Sequence, residues 1–252
     1  MPPSSLLGMV VHRSQQGTDG RVRHLELDRA GSANAVDLDT LVELRAGLED
    51  LGPTRVLVIS GRGRHFCAGA DLSGVEGDQF HHELGAMLRT LRDLPILTVC
   101  ATHKATLGLG SQLAIACDLR TATDSTRFGV PAVKLGIMVD QFTTRRLQMA
   151  VGPSLTRGML LAGLELSGSR AFELGIVHRL CDSAEALDWA DELGALSPLS
   201  IAGHKRSLNA LEDELALRPE LADVFREVWA SDDAQEGPLA FKEKRTPRFK
   251  GS

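Results

Sequence analysis

The sequence predicts an α/β domain, a largely parallel sheet wrapped by helices, followed by a helical C-terminal part. Three observations predict it. Up to about residue 143, short β-branched runs alternate with stretches of helical periodicity. Beyond that point helical segments follow one another and strands thin out. The chain has 252 residues, 43% of them apolar, which is enough for a sizeable core. Tyrosine is absent and aromatics are scarce, so that core must be built from Leu, Val, Ile and Ala.

The elements follow in order. "VRHLELDR" (Val22 to Arg29) alternates apolar and polar residues and reads as a strand. Leu38, Leu41, Leu44, Leu48 and Leu51 recur at three and four residues, which is a helix. "RVLVIS" (Arg55 to Ser60) is a buried strand. Phe80, Leu84, Met87, Leu88 and Leu91 mark a second helix, closed by Pro95. "ILTVCAT" (Ile96 to Thr102) is another buried strand, Gly108 to Cys117 a short helix, and "LRTATD" strand-like again. Strand, helix and strand in alternation suggest parallel pairing. From Thr143 onward "TTRRLQMAVG", "SLTRGMLLAG", "SRAFELG", "SAEALDWADELGAL", "SIAGHKRSLNALEDELAL" and "ELADVFREVWASDD" read as helices, with Ser154 and Ser183 as N-caps. The chain ends in the basic "FKEKRTPRFKGS".

Composition excludes several classes. A net charge of -5 argues against a nucleic-acid binder, which needs a basic face. Cys67, Cys100, Cys117 and Cys181 form no CxxC pair, so no zinc or redox motif is readable, and they suit the reduced, buried thiols of a cytoplasmic protein. No apolar run approaches the ~20 residues of a membrane span. "MPPSSLLGMVVHRS" lacks the pattern of a signal peptide. His81, His82 and Glu83 look like metal ligands, but neighbours on a helix point to different faces, so a solvated helix is expected and no metal.

Two glycine-rich loops follow strands. "GRGRHFCAGADLSG" (Gly61 to Gly74) is neither a Walker loop nor a dinucleotide fingerprint, since no Gly-Lys-Ser/Thr follows and no long helix opens within it. "GLGSQLAIACDLR" (Gly108 to Arg120) opens a helix. One backbone N–H from each loop could converge on an anionic oxygen, as a thioester oxyanion requires. A plain glycine-rich turn is the lesser alternative for the first loop taken alone.

The motifs resemble a known family. "HFCAGADL" (His65 to Leu72) is similar to the signature loop of the crotonase superfamily, the enoyl-CoA hydratase/isomerase family. "ANAVD", "GLGSQLAIACDLRTA", "FGVPAVKLGI" (Phe128 to Ile137), "SRAFELGIVHRL" and "FKEKRTPRF" resemble further family segments in the right order. The resemblance implies a crotonase-like spiral of ββα turns, residues 1–190, and a C-terminal helical oligomerisation region, residues 191–252, forming a homotrimer or a hexamer of paired trimers. It implies a coenzyme A thioester as ligand, with no separate cofactor. The oxyanion donors would be the N–H groups of Ala70 and Leu109, and the backbone at Ala68 would meet the adenine. Phe241 and Lys244 match positions that reach the CoA of a neighbouring subunit, although a terminal lysine is equally a solvated one.

The sequence departs from the family at its chemistry. Hydratases of this family use two glutamates; the matching positions here are Gln112 and Ala132. Neither side chain is a general base, and loss of one base costs about 10²–10⁴-fold. Gln112 can still hold a water or polar group, and Ala132 belongs to the expected acyl pocket. Asp140 is the remaining carboxylate; dienoyl-CoA isomerases and a dehalogenase-type branch carry a functional Asp at that position. It is equally a carboxylate at a helix N-terminus, paired with Arg145 or Arg146. His65, Arg245 and Arg248 meet either CoA phosphates or solvent, and Asp71 satisfies donors of its own loop. The pattern resembles a mycobacterial branch lacking both glutamates, associated with carrying long acyl-CoA toward mycolic-acid synthesis. The expected function is therefore an acyl-CoA carrier in lipid metabolism, impaired in hydration. The alternative is an enoyl-CoA isomerase or weak hydratase using Asp140. The apolar positions from Phe80 to Leu91 suit either a tunnel for the acyl chain or core packing.

Overall fold

A computed structural model of the chain describes residues 11–16, 20–73, 75, 77–214 and 220–251. The start of the N-terminal segment, Gly74 of the first loop and the end of the helix expected through residue 217 lie outside the described residues. The chain runs through β1 (Val11–Gln16), β2 (Val22–Leu27), α1 (Leu38–Gly47), β3 (Val56–Gly61), α2 (Asp78–Asp93), β4 (Leu97–Thr102), β5 (Ala105–Leu107) and α3 (Leu109–Ala116). It continues through β6 (Leu119–Ala122), β7 (Arg127–Gly129), a 3₁₀ turn (Pro131–Leu135), α4 (Gln141–Ala162), β8 (Glu165–Ser167), α5 (Gly168–Glu173) and β9 (Arg179–Leu180). Four helices close it: α6 (Ser183–Gly194), α7 (Pro198–Asp213), α8 (Glu220–Trp229) and α9 (Asp232–Lys242).

The main sheet has the order β1-β2-β3-β4-β6-β9, parallel throughout except for the β1–β2 pair. A second ladder crosses from turn to turn. Val36 bridges Ala70, Cys67 bridges Thr106, and β5 pairs with β7, which pairs with β8. Each turn of chain thus supplies one strand to the main sheet, one short extended stretch to the second ladder, and then a helix. The result is a spiral of ββα turns.

Burial explains the strand composition. All six residues of β3 are buried. Leu57 and Ile59 join Leu41, Leu44, Leu88 and Leu91 on the face covered by α1 and α2. Val56 and Val58 meet Ala186 and Ala190 of α6 on the other face. A strand covered on both faces reads as a continuous apolar run. Each fully buried Leu or Val contributes about 1.5–3 kcal/mol.

Local chemistry sets the helix ends. Asp37 caps α1, its Oδ1 accepting from Thr40 N at 2.9 Å. Asp182 rather than Ser183 caps α6, in a capping box with Glu185. The two helices expected after Thr143 form one kinked helix, α4, broken where Gly152 adopts φ 78° and ψ 162°. Pro153 restarts it, so Ser154 is not an N-cap. A boundary after residue 190 falls inside α6, which packs on the sheet as one element.

A buried ion cluster ties the later helices to the spiral. Glu212 of α7 is 1% exposed and meets Arg146 at 2.8 Å and Arg145 at 3.4 Å, both on α4. Arg92 of α2 binds the neighbouring Asp213 with both terminal nitrogens, at 2.8 and 3.0 Å.

Candidate functional site

The two glycine loops lie side by side. Phe66 N donates to His103 O, Cys67 N to Ala105 O, and Leu107 N to Cys67 O, which zips the first loop along β5. Asn34 anchors its start, donating from Nδ2 to the carbonyls of Arg62 and His65 at 2.9 and 2.7 Å. Val36 N donates to Gly69 O, and Asp71 N donates to Val36 O. In such a parallel bridge the intervening residue points its own N–H away from the partner. Ala70 is that residue, and its N–H donates to no described residue. Leu109 is the first residue of α3, where helix geometry leaves the N–H without an internal acceptor. It too donates to no described residue. Gly110 makes the close approach of the loops possible: a Cβ there would stand 2.4 Å from Cys67 O.

Both loops open on a cavity of about 1130 Å³. Ala68, Ala70, Leu109, Gln112, Ala132, Asp140 and Phe241 all line it. The structure therefore brings together the six residues expected at one subunit's site and places Phe241 beside them. Lys244, with a left-handed φ of 55°, is exposed and does not line the cavity. Phe241 borders the cavity of its own chain, where a neighbouring subunit's was expected. Lys134, Lys242 and Arg245 add positive charge to the lining.

Gln112 is buried, and its Oε1 accepts from the Thr143 hydroxyl at 2.9 Å. The amide is thereby fixed, with its NH₂ paired to no described residue. Ala132 sits on the 3₁₀ turn. Asp140 caps α4, its Oδ1 accepting from Thr143 N at 2.8 Å. The capping role weighed for it is thus present, but Arg145 and Arg146 turn to Glu212 and Asp213 instead.

The remaining candidates divide. Asp71 accepts from Ser73 Oγ at 2.7 Å and lies 3.2 Å from Arg29; the Ser73 hydroxyl, ahead of Arg29, holds its carboxyl below the usual range. Arg245 pairs with Glu236 and Glu243, while Arg248 offers its backbone N–H to Glu236. His65 accepts from Ala105 N through Nδ1 at 3.4 Å, and burial followed by the charges of Arg64, His103, Lys104 and Arg127 lowers its basicity. Burial pushes the Cys67 thiol up to about 12, so it is no nucleophile. All four cysteines are free and buried.

The helix carrying His81 is not a solvated one at that point. His81 faces the cavity among Phe80, Phe225 and Trp229, while His82 is exposed and Glu83 pairs with Arg45 at 3.1 Å. Of the tunnel positions, Phe80 and Leu84 line the cavity, whereas Met87, Leu88 and Leu91 are core. Sequence reasoning set His81 on a solvated face and missed Thr143, Trp229 and Lys242. Lys242 was within reach, two residues from Lys244. Among the described residues no cluster of metal-ligating side chains occurs, and no helix is long and apolar enough to cross a membrane.

Known proteins resemble this chain in sequence and fold. The enoyl-CoA hydratase/isomerase family profile matches residues 17–252. A relative from Mycobacterium leprae, named "Probable enoyl-CoA hydratase echA6", is 34% identical over 238 residues, covering 92% of this chain and 96% of the relative. A carnitinyl-CoA dehydratase from Proteus mirabilis is 33% identical over 253 residues, covering 93% and 97%. Among solved structures, an enoyl-CoA hydratase subunit from Geobacillus kaustophilus superposes with a TM-score of 0.74 at 30% identity, covering 97% of this chain and 99% of that one. The ββα spiral, the paired glycine loops and these similarities together place the chain in the enoyl-CoA hydratase/isomerase family of the crotonase superfamily.

Proposed function

We propose that the protein binds a fatty acyl-CoA thioester and carries it without hydrating it. The thioester oxygen would rest on the N–H groups of Ala70 and Leu109, which suits two donors left without acceptors at a cavity wall. The backbone at Ala68 and the ring of Phe241 would hold the CoA, with Lys134 and Lys242 near its phosphates. The coenzyme A thioester is the ligand, and neither a metal nor a separate cofactor enters this reading. A homotrimer or hexamer acting in the cytoplasm in lipid metabolism is part of it.

One observation carries the carrier reading. The amide of Gln112 is fixed by Thr143 beside the oxyanion donors, and Ala132 completes a reacting region with no carboxylate at either position. A second reading, isomerisation by Asp140, is favoured by its place on the cavity wall with Oδ2 accepting from no described backbone N–H. Mass spectrometry on a panel of enoyl-CoA chain lengths separates the two. Binding without any product is the expected outcome. An isomer or a water adduct, formed by the parent and lost in Asp140→Asn, would overturn it.

A further inference from the structure

Arg29 lies just beyond β2 and does not line the cavity, yet its guanidinium fastens the stretch on which the Ala70 N–H depends. One terminal nitrogen meets Asp37 at 2.7 Å and Asp71 at 3.2 Å, and the other donates to Ala35 O. The side chain is 20% exposed, so salt screens these pairs less than it would on an open surface. Asp37 is the N-cap of α1, and its other oxygen accepts from the N–H and the hydroxyl of Thr40. Asp71 belongs to the first loop, and its other oxygen accepts from the N–H and the hydroxyl of Ser73. A single cation thus joins the start of α1 to the residue that follows Ala70. Without it the two carboxylates would meet as like charges.

The turn that Arg29 holds is one that needs holding. Ala33 and Asn34 both take left-handed φ values, 53° and 56°, which are uncommon outside glycine. Such conformations persist where the surroundings over-determine them. Arg29 supplies contacts along the turn: its N–H donates to Asn34 Oδ1 at 2.8 Å, its carbonyl accepts from Asn34 N at 3.0 Å, and its guanidinium takes Ala35 O. The same turn brackets Ala70. Ala68 N donates to Ala33 O, Val36 N to Gly69 O, and Asp71 N to Val36 O. The peptide N–H of Ala70 is therefore aimed by residues 33–36, and a shift of that turn re-aims it. Hydrogen bonds weaken steeply as a donor swings off line, so the aim decides what the donor is worth.

We propose that Arg29 is a positioning residue for thioester recognition: its ion pairs with Asp37 and Asp71 fix the turn that aims the Ala70 N–H at the acyl carbonyl oxygen. The proposal rests on the reading of this cavity as an acyl-CoA site. Calorimetric titration of the full chain with octanoyl-CoA and with S-octyl-CoA, the thioether that lacks the carbonyl oxygen, tests it. The parent is expected to favour the thioester by about five- to tenfold, the equivalent of one net hydrogen bond. Arg29→Met keeps an apolar stem and removes the charge; it should erase the preference by weakening octanoyl-CoA and not the thioether. Arg29→Lys, a point charge without the planar fork, should retain part of the preference. Asp71→Asn keeps an oxygen for Ser73 and loses the ion pair, so it should narrow the preference too, and it decides the matter if Arg29→Met does not fold. A preference that survives undiminished in Arg29→Met or in Asp71→Asn would overturn the proposal. So would equal weakening of both ligands by Arg29→Met, which a merely structural role predicts, and so would a parent that binds the two ligands alike. Failure of both ligands to bind the parent would instead remove the acyl-CoA reading beneath it.

Discussion

At Gln112 a carboxylate would find the same Thr143 hydroxyl that the amide now accepts from. The double substitution Gln112→Glu with Ala132→Glu should therefore raise hydration of a short 2-enoyl-CoA by at least about 10²-fold, the contribution of a positioned base. Loss of the conjugated-thioester absorbance measures it, and an unchanged rate would show that these positions do not face the reacting carbons. Gly110 offers a second check. Its Cβ would strike the Cys67 carbonyl, so Gly110→Ala should cost roughly 1–3 kcal/mol in urea unfolding and weaken acyl-CoA binding by shifting both loops. At this scale the two glycine loops were legible, because tight backbone approach demands glycine and small residues in a short stretch of sequence. His81 was not. Its surroundings come from α8 and from the start of α4, far away in the chain, and neighbouring positions on α2 gave no sign of them.

Single helices make predictions of their own. Asp140 caps α4, so Asp140→Ala should lower stability by about 1 kcal/mol while Asp140→Asn, itself a good cap, changes it little. Equal losses in both variants, read by urea denaturation, would argue against the capping role. The cluster joining α2, α4 and α7 is a stronger test. Glu212→Ala leaves Arg145 and Arg146 without their buried carboxylate, at a cost of about 3–5 kcal/mol. Elements with sustained periodicity, such as α1, α2 and β3, could be read directly from the sequence. The short strands β5, β7, β8 and β9 could not, since two or three residues carry no period. Nor could α9, whose interior Gly237 and Pro238 read as a turn.

Across the whole molecule, the last stretch of chain forms one wall of the cavity. Glu236 on α9 accepts from Arg245 and from Arg248 N, while Asp233 accepts from Lys250 N and Gly251 N, so residues 245–251 are strapped along that helix. The Arg245 side chain, followed by the Arg248 N–H, holds the Glu236 carboxyl at about 2. A lowered value means that the strap's contribution is complete above the ordinary glutamate range and is lost as pH falls from there toward 2. Glu236→Gln should loosen the segment already at neutral pH, seen as faster proteolysis after Arg245 and Lys250; cleavage no faster than in the parent would refute this. The wall also has a meaning for how the protein comes into being. On a ribosome the loops at Ala70 and Leu109 emerge well before Phe225, Trp229, Pro238 and Phe241. A nascent chain therefore presents the N–H groups of Ala70 and Leu109 to water until residue 241 has been made and packed, and the chamber exists only from then on. A ligand of this cavity would then distinguish chains that carry the α8–α9 wall from those interrupted before it, and would lend its binding free energy to the former alone.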